Sequence, residues 1–398
     1  MEPHFPVQLL VSTPKGDLPF TPERARLPLP QGPDCEGPLL TYGPYMDALS
    51  RFLGRAEFEP LRSALSKLPG QPVSLNAIRS LEIISKKHGA LYHVAQVRVH
   101  LEKKSHSFAL EVAVRPDQQA FLESEFQLME RLHDLFGLPF LPRPYLQGEA
   151  SYSGDPADPL NKPHLLKLFM ADWFDDYHEF HLSRRNEGGP PAIKVWSSKD
   201  GDWWLSAEQT HSLYRRAAAI LTAYLDGQSF SEIYPWHHAA GDFVLKRQGE
   251  LVDLRLITAR DYRCLLPAET DLEDKWIGIF HFFFNLTLRL RLDRLDGTGE
   301  LAWADPICLG AIMEGFLESW EEKTRKMPSL PSTGEVIDAL RSFTPQEWAP
   351  LGEFIMLNGL VEADEVPFLQ ARLEEHIAAL YDVLLKEVCT REPVRAKD

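Results

Sequence analysis

The sequence predicts an α+β protein, and three observations carry that prediction. Between Ile78 and Pro116, apolar and polar residues alternate with the period of two that half-buried strands require. From Gln119 to Phe136, and again after Ser206, apolar residues recur at helical spacing instead. Across its 398 residues the chain is 44% apolar and 25% charged, a globular composition with room for two or three units that each bury a core.

Residues 1–37 are rich in proline and carry no sustained period, so they read as an extended or wrapping arm. Leu49, Phe52, Leu53, Leu61, Leu65 and Leu68 then mark one or two amphipathic helices over Met46–Leu68, closed by Pro69-Gly70. Together these make a first segment, 1–77. The segment 78–174 is strand-rich. "SLEIISKK", "LYHVAQVRVHLEKK" and "SFALEVAVRP" read as three antiparallel strands, with turns at Lys87-His88-Gly89 and Lys103-Lys104-Ser105. A helix over Gln119–Phe136 follows and stops at Gly137, and "HLLKLFMADWF" (164–174) reads as a further strand.

The segment 175–330 is mainly helical after a Gly/Pro-rich stretch around 187–202. Ser206 to Gln209 is a capping-box pattern opening a helix to about Leu225, and Thr270 to Glu273 repeats the pattern before an apolar helix over 276–290. That helix begins acidic (Asp271, Glu273, Asp274) and ends basic (Arg289, Arg291, Arg294), as the helix dipole favours. "GDFVLKRQGELVDLRLIT" lies between the two helices and reads as a hairpin turning at Gln248-Gly249. The tail, 331–398, holds two capped helices starting at Ser332 and Thr344.

A net charge of −16 and a pI near 5.4 disfavour nucleic acid and anionic membranes as partners. Cys35, Cys264, Cys308 and Cys389 form no CxxC pair, so they read as reduced thiols rather than a zinc site or a disulfide framework. The N-terminus lacks the features of a signal peptide, and "WIGIFHFFFNLTL" (276–288) is shorter than a membrane span. A cytoplasmic protein with no membrane partner is the expectation. No GxSxG, GxxxxGK[ST] or strand-borne GxGxxG motif is present, and the two histidines of "HEFH" (178–181) lack the spacing of the helical zinc-protease motif.

"FALEVAVRP", "LESEFQLMERL" and "YPWHHAAGDFVLK" (234–246) follow one another in an order of elements that resembles the protein-kinase-like fold, in its aminoglycoside and choline phosphotransferase branch. The resemblance covers about residues 78–325. It implies a two-lobed fold, a small antiparallel sheet plus a helix followed by a mostly helical lobe. The N-terminal arm and the C-terminal helices lie outside it. It further implies ATP and Mg2+ as cofactors, with a nucleotide and an acceptor of unknown nature (small molecule or protein) as partners.

Residue by residue, Arg115 matches the position of the phosphate-binding lysine, and Glu125 the helix glutamate that steadies it. For Glu125 the competing reading is a solvated helix face shared with Glu123 and Glu130. Aligned on the hairpin, Asp242 falls at the metal-binding asparagine and His237 at the catalytic aspartate. A looser alignment makes Asp242 the base. His237 and His238 are the nearby groups able to take a proton near neutral pH. The family's second metal aspartate falls at Thr258, with Asp253 and Asp261 close by, and no glycine-rich phosphate loop is present. Three functions are therefore expected in order: a diverged ATP-dependent phosphotransferase, a catalytically inactive pseudokinase serving as a binding or regulatory module, and a metal-dependent hydrolase using His237, His238 and Asp242.

Overall fold

The computed structural model describes residues 5–30, 40–68, 73–89, 91–152, 164–197, 199–236, 239–266, 275–358 and 364–386. The chain divides into two units, Met1–Asp176 and Tyr177–Asp398.

In the first unit the alternating sequence forms one mixed sheet of seven strands. They are β1 (Val7–Thr13), β2 (Gly16–Pro19), β3 (Ile78–His88), β4 (His93–Leu101), β5 (Ser105–Ala113), β6 (Pro144–Tyr152) and β7 (His164–Asp172), in the order β2-β1-β3-β4-β5-β7-β6. The expectation of a small, wholly antiparallel sheet is corrected here. The segment read as a loose arm supplies β1, which pairs parallel to β3 from Val7↔Leu81 to Val11↔Ser85. After a one-turn helix α1 (Pro22–Ala25), α2 (Tyr42–Ser66) is two helical segments, broken where Ala56, Glu57 and Phe58 take positive φ. The proposed stop at Pro69-Gly70 lies outside the described residues.

Alternation along the strands explains why this sheet carries helices on both faces. Leu81, Ile83, Val97, Leu110, Val112, Leu168 and Met170 pack against Tyr45, Leu49, Leu53 and Leu61 of α2. On the opposite face, Ala113, Phe169 and Ala171 pack against Leu122, Phe126 and Met129 of α3 (Gln119–Phe136). Gly137 ends α3 with φ +61°, the left-handed cap that glycine adopts without steric penalty.

The second unit opens with β8 (Phe180–Arg184), β9 (Pro191–Val195) and β10 (Trp203–Trp204), a three-stranded sheet whose central strand lies in the Gly/Pro-rich stretch and whose outer strands flank it. Helix α4 (Ala207–Tyr224) follows, with Ser206 and Gln209 capping it reciprocally as the sequence predicts. Next come β11 (Ser231–Ile233), the single turn α5 (Ala239–Asp242), and the hairpin of β12 (Phe243–Gln248) and β13 (Leu251–Leu256). Strand β14 (Tyr262–Cys264) then returns to pair with β11. The hairpin turns at Gly249, whose φ of +63° suits glycine.

Helix α6 (Lys275–Arg289) is buried on almost every side, from Gly278 and Ile279 through Phe282, Phe283 and Phe284 to Arg289. The remaining elements are β15 (Leu292–Arg294), β16 (Leu301–Trp303), α7 (Cys308–Lys326), α8 (Thr333–Ser342), α9 (Pro345–Asn358), α10 (Glu365–Gln370) and α11 (Leu373–Lys386). The basic end of α6 does more than complement a dipole. Arg289 donates to Glu365 at 2.7 Å, and Arg291, beyond the helix, reaches Glu375 at 3.0 Å, the Ala304 carbonyl at 3.1 Å and the Trp303 ring. The proposed cap at Thr270 lies outside the described residues. No helix among the described residues is long and apolar enough to cross a membrane. Cys264 and Cys308 are free thiols, whereas Cys35 and Cys389 lie outside the described residues.

Candidate functional site

Three interacting ionisable groups of the first unit, Lys87, Glu111 and Glu125, lie on the α3 side of the sheet. In β5, Phe108, Leu110 and Val112 face α2, so Glu111 faces the other way with Ala109 and Ala113. Burial pushes the Glu111 carboxyl up to about 8. The neighbouring charge of Glu125 pushes in the same direction and Lys87 opposes both. Lys87 keeps an exposed side chain, but the packed sheet beneath it lowers its pKa, against the pull of Glu111. Glu125 is only 6% exposed, so the solvated-face reading does not hold for it. That reading fits Glu130, which is exposed, while Glu123 pairs with Lys167. Arg115 lies just past β5, and its guanidinium binds both carboxylate oxygens of Asp117 in the turn that leads into α3.

The second unit builds its candidate site around the approach to the β12–β13 hairpin. His237 and His238 lie outside the described residues. Asp242 ends α5 with its side chain 1% exposed, and its backbone carbonyl accepts from Ile257 N at the far end of the hairpin. Arg260 Nη1 and Nη2 donate to Asp242 Oδ2 and Oδ1 at 2.8 and 2.7 Å. This bidentate, charge-assisted geometry is the strongest form of such a pair. The two carboxylates considered as substitutes for Thr258 are engaged elsewhere. Asp253 accepts from Tyr177 Oη at 2.6 Å and from Arg255 at 3.1 Å, and Asp261 pairs with Arg263 at 3.1 Å.

A magnesium site does not fit this arrangement. Both oxygens of Asp242 face a guanidinium, and no group of three or more His, Cys, Asp or Glu side chains among the described residues is placed to hold a metal ion. The "HEFH" histidines likewise separate: His178 packs edge-on against Trp203, while His181 Nδ1 contacts Asp293 Oδ1 at 3.2 Å.

Glu232 in β11 completes the picture. It is buried, and burial pushes its carboxyl up to about 8, against a lowering influence of the nearby Asn285 side chain of α6. The structure therefore adds Glu111, Glu232 and Arg260 to the residues found by sequence. Glu111 announces itself as a charge inside an alternating apolar strand. Arg260, two residues past Thr258, carried no such signal. No protein-family model matches the chain, and no curated protein matches it either.

Proposed function

We propose that this chain is a kinase-related binding module that takes a nucleotide without a divalent cation and does not turn it over. One observation carries the reading. The position that the kinase resemblance assigns to a metal ligand, Asp242, is neutralised on both oxygens by Arg260. Phosphoryl transfer depends almost entirely on positioning and on charge supplied to the moving phosphoryl group. A guanidinium locked onto a buried carboxylate supplies that charge to the protein instead. The kinase-related part of the reading is supported by element order. Strands β3 to β5, then α3, then β6 and β7 follow one another in the first unit. Helix α4, β11, α5, the β12–β13 hairpin, β14 and α6 follow in the second.

A magnesium-dependent phosphotransferase is the second reading. It is favoured by the buried Glu125, which sits with Glu111 and Lys87 on the strand–helix contact where that fold steadies its phosphate-binding cation. Thermal unfolding with millimolar ATP or ADP separates the two. A ligand that binds only the folded state raises the melting temperature by mass action. The module raises it equally in EDTA and in magnesium, and releases no ADP above a heat-unfolded control. ADP release that needs magnesium and is lost in Asp242→Ala returns the phosphotransferase. No shift with any nucleotide removes nucleotide binding altogether.

A further inference from the structure

The second unit contains a cavity of about 760 Å3 that plays no part in the Asp242 reading. It lies between the β8–β9 sheet, the first turns of α4, the β12–β13 turn and the start of α7. Its volume is that of a small-molecule pocket. Leu182, Ile193 and Leu205 give it apolar walls, and Tyr214 and Cys308 add polar atoms held neutral. Burial raises the Tyr214 hydroxyl well above 10 and pushes the Cys308 thiol up to about 12, so neither contributes a charge near neutral pH.

The mouth differs from the interior in two ways. Ile307 and Leu251 form an apolar lip, 81% and 60% exposed, and Ile307 is the most exposed large hydrophobic residue among those described. Three exposed carboxylates, Glu208, Glu250 and Asp305, share that rim. Glu208 accepts from Ser206 Oγ at 2.9 Å, and Asp305 Oδ1 accepts from Ile307 N at 2.9 Å, contacts that hold the carboxylates in place without neutralising them. The rim's own positive groups are already matched. Arg215 pairs with Glu318 at 2.9 Å, and His211 lies 3.4 Å from Glu314. An apolar interior with a net acidic mouth complements a ligand with an apolar body and a positive end.

We infer that this cavity binds a small amphipathic amine, its apolar body between β8, β9 and α4 and its ammonium at Glu208, Glu250 and Asp305. Calorimetric titration of the full chain with diphenylbutylamine, diphenylbutanol and diphenylbutyrate tests this, because the three share one apolar body. The amine binds about tenfold more tightly than the alcohol, as expected for three exposed charges acting together, and the carboxylate binds weakest. Added salt narrows the spread. The triple variant Glu208→Gln, Glu250→Gln, Asp305→Asn keeps the unliganded melting temperature and brings the amine down to the alcohol's affinity. Ile307→Lys weakens all three ligands. Equal affinities for amine and carboxylate, no binding by any of the three, or undiminished amine binding in the triple variant would each overturn the assignment.

Discussion

Asp242 is buried deeply enough that its partner decides its energetics. A carboxylate left unpaired in that position costs far more than an exposed ion pair contributes, because water no longer solvates it. Arg260→Ala should therefore destabilise the protein by roughly 2–3 kcal/mol, at or just below the range for a fully buried pair, since the arginine keeps 23% of its side chain exposed. The double variant Asp242→Asn, Arg260→Gln should recover part of that loss, because it leaves no buried charge behind. Urea unfolding of the parent and the two variants reads both effects. A neutral Arg260→Ala would mean that groups other than the guanidinium satisfy Asp242. Glu232 makes a prediction in pH. Its folded pKa of about 8 lies above its ordinary 4.5, so the folded state holds a proton that the unfolded chain has released in between. Its contribution to stability is thus fully present below about 4.5 and is lost as pH rises towards about 8. Glu232→Gln should flatten stability against pH over that window and gain on the parent at its alkaline end. Glu111 shifts the same way, so some slope remains until Glu111→Gln is added. A slope unchanged in Glu232→Gln would show that Glu232 does not carry the pH dependence. Such shifts are invisible in sequence. Alternation in "FALEVAV" places Glu111 on a face, but only the structure supplies what buries it.

Elements whose cause is local were legible, and those made by distant partners were not. Gly137 after a helical period, Ser206 with Gln209, and Ser332 with Glu335 each fix a helix end within four residues of sequence, and each is present. The β12–β13 hairpin was legible for the same reason. Strand β1 was not, because its parallel partner β3 lies some seventy positions on. Strand β9 hid among glycines and prolines that read as loop, and its partners β8 and β10 are too short to show a period. Helix packing carries a prediction of the same non-local kind. In α7, a Cβ on Gly315 would stand 2.0 Å from the Arg215 carbonyl of α4, a backbone atom that cannot swing aside, whereas one on Gly310 would meet nothing within 4 Å. Gly315→Ala should cost about 3 kcal/mol by forcing the two helices apart. Gly310→Ala should instead stabilise by about 0.5–1 kcal/mol through helix propensity. Chemical denaturation of the pair checks this, and a tolerated Gly315→Ala would show that α4 and α7 can separate without loss.

At the scale of the whole chain, the division after Asp176 is the feature with the broadest consequence. Every pairing of the seven-stranded sheet is made within residues 1–176, and both of the cores that sandwich it are drawn from those residues. The second unit has its own buried helix, α6, tied by Arg289 and Arg291 to α10 and α11. A chain of either length buries about two thirds of the surface it exposes when unfolded, enough for independent stability. Residues 1–176 and 177–398, produced separately, should each show native circular dichroism and a cooperative melting transition. The effects argued above should then segregate. Arg260→Ala and Gly315→Ala should lower the transition of the 177–398 fragment as they lower that of the full chain. Glu111→Gln should change the pH dependence of 1–176 alone. If either fragment melts without cooperativity while the full chain melts in one sharp step, the two units are one folding unit, and the boundary at Asp176 is a feature of geometry without energetic meaning.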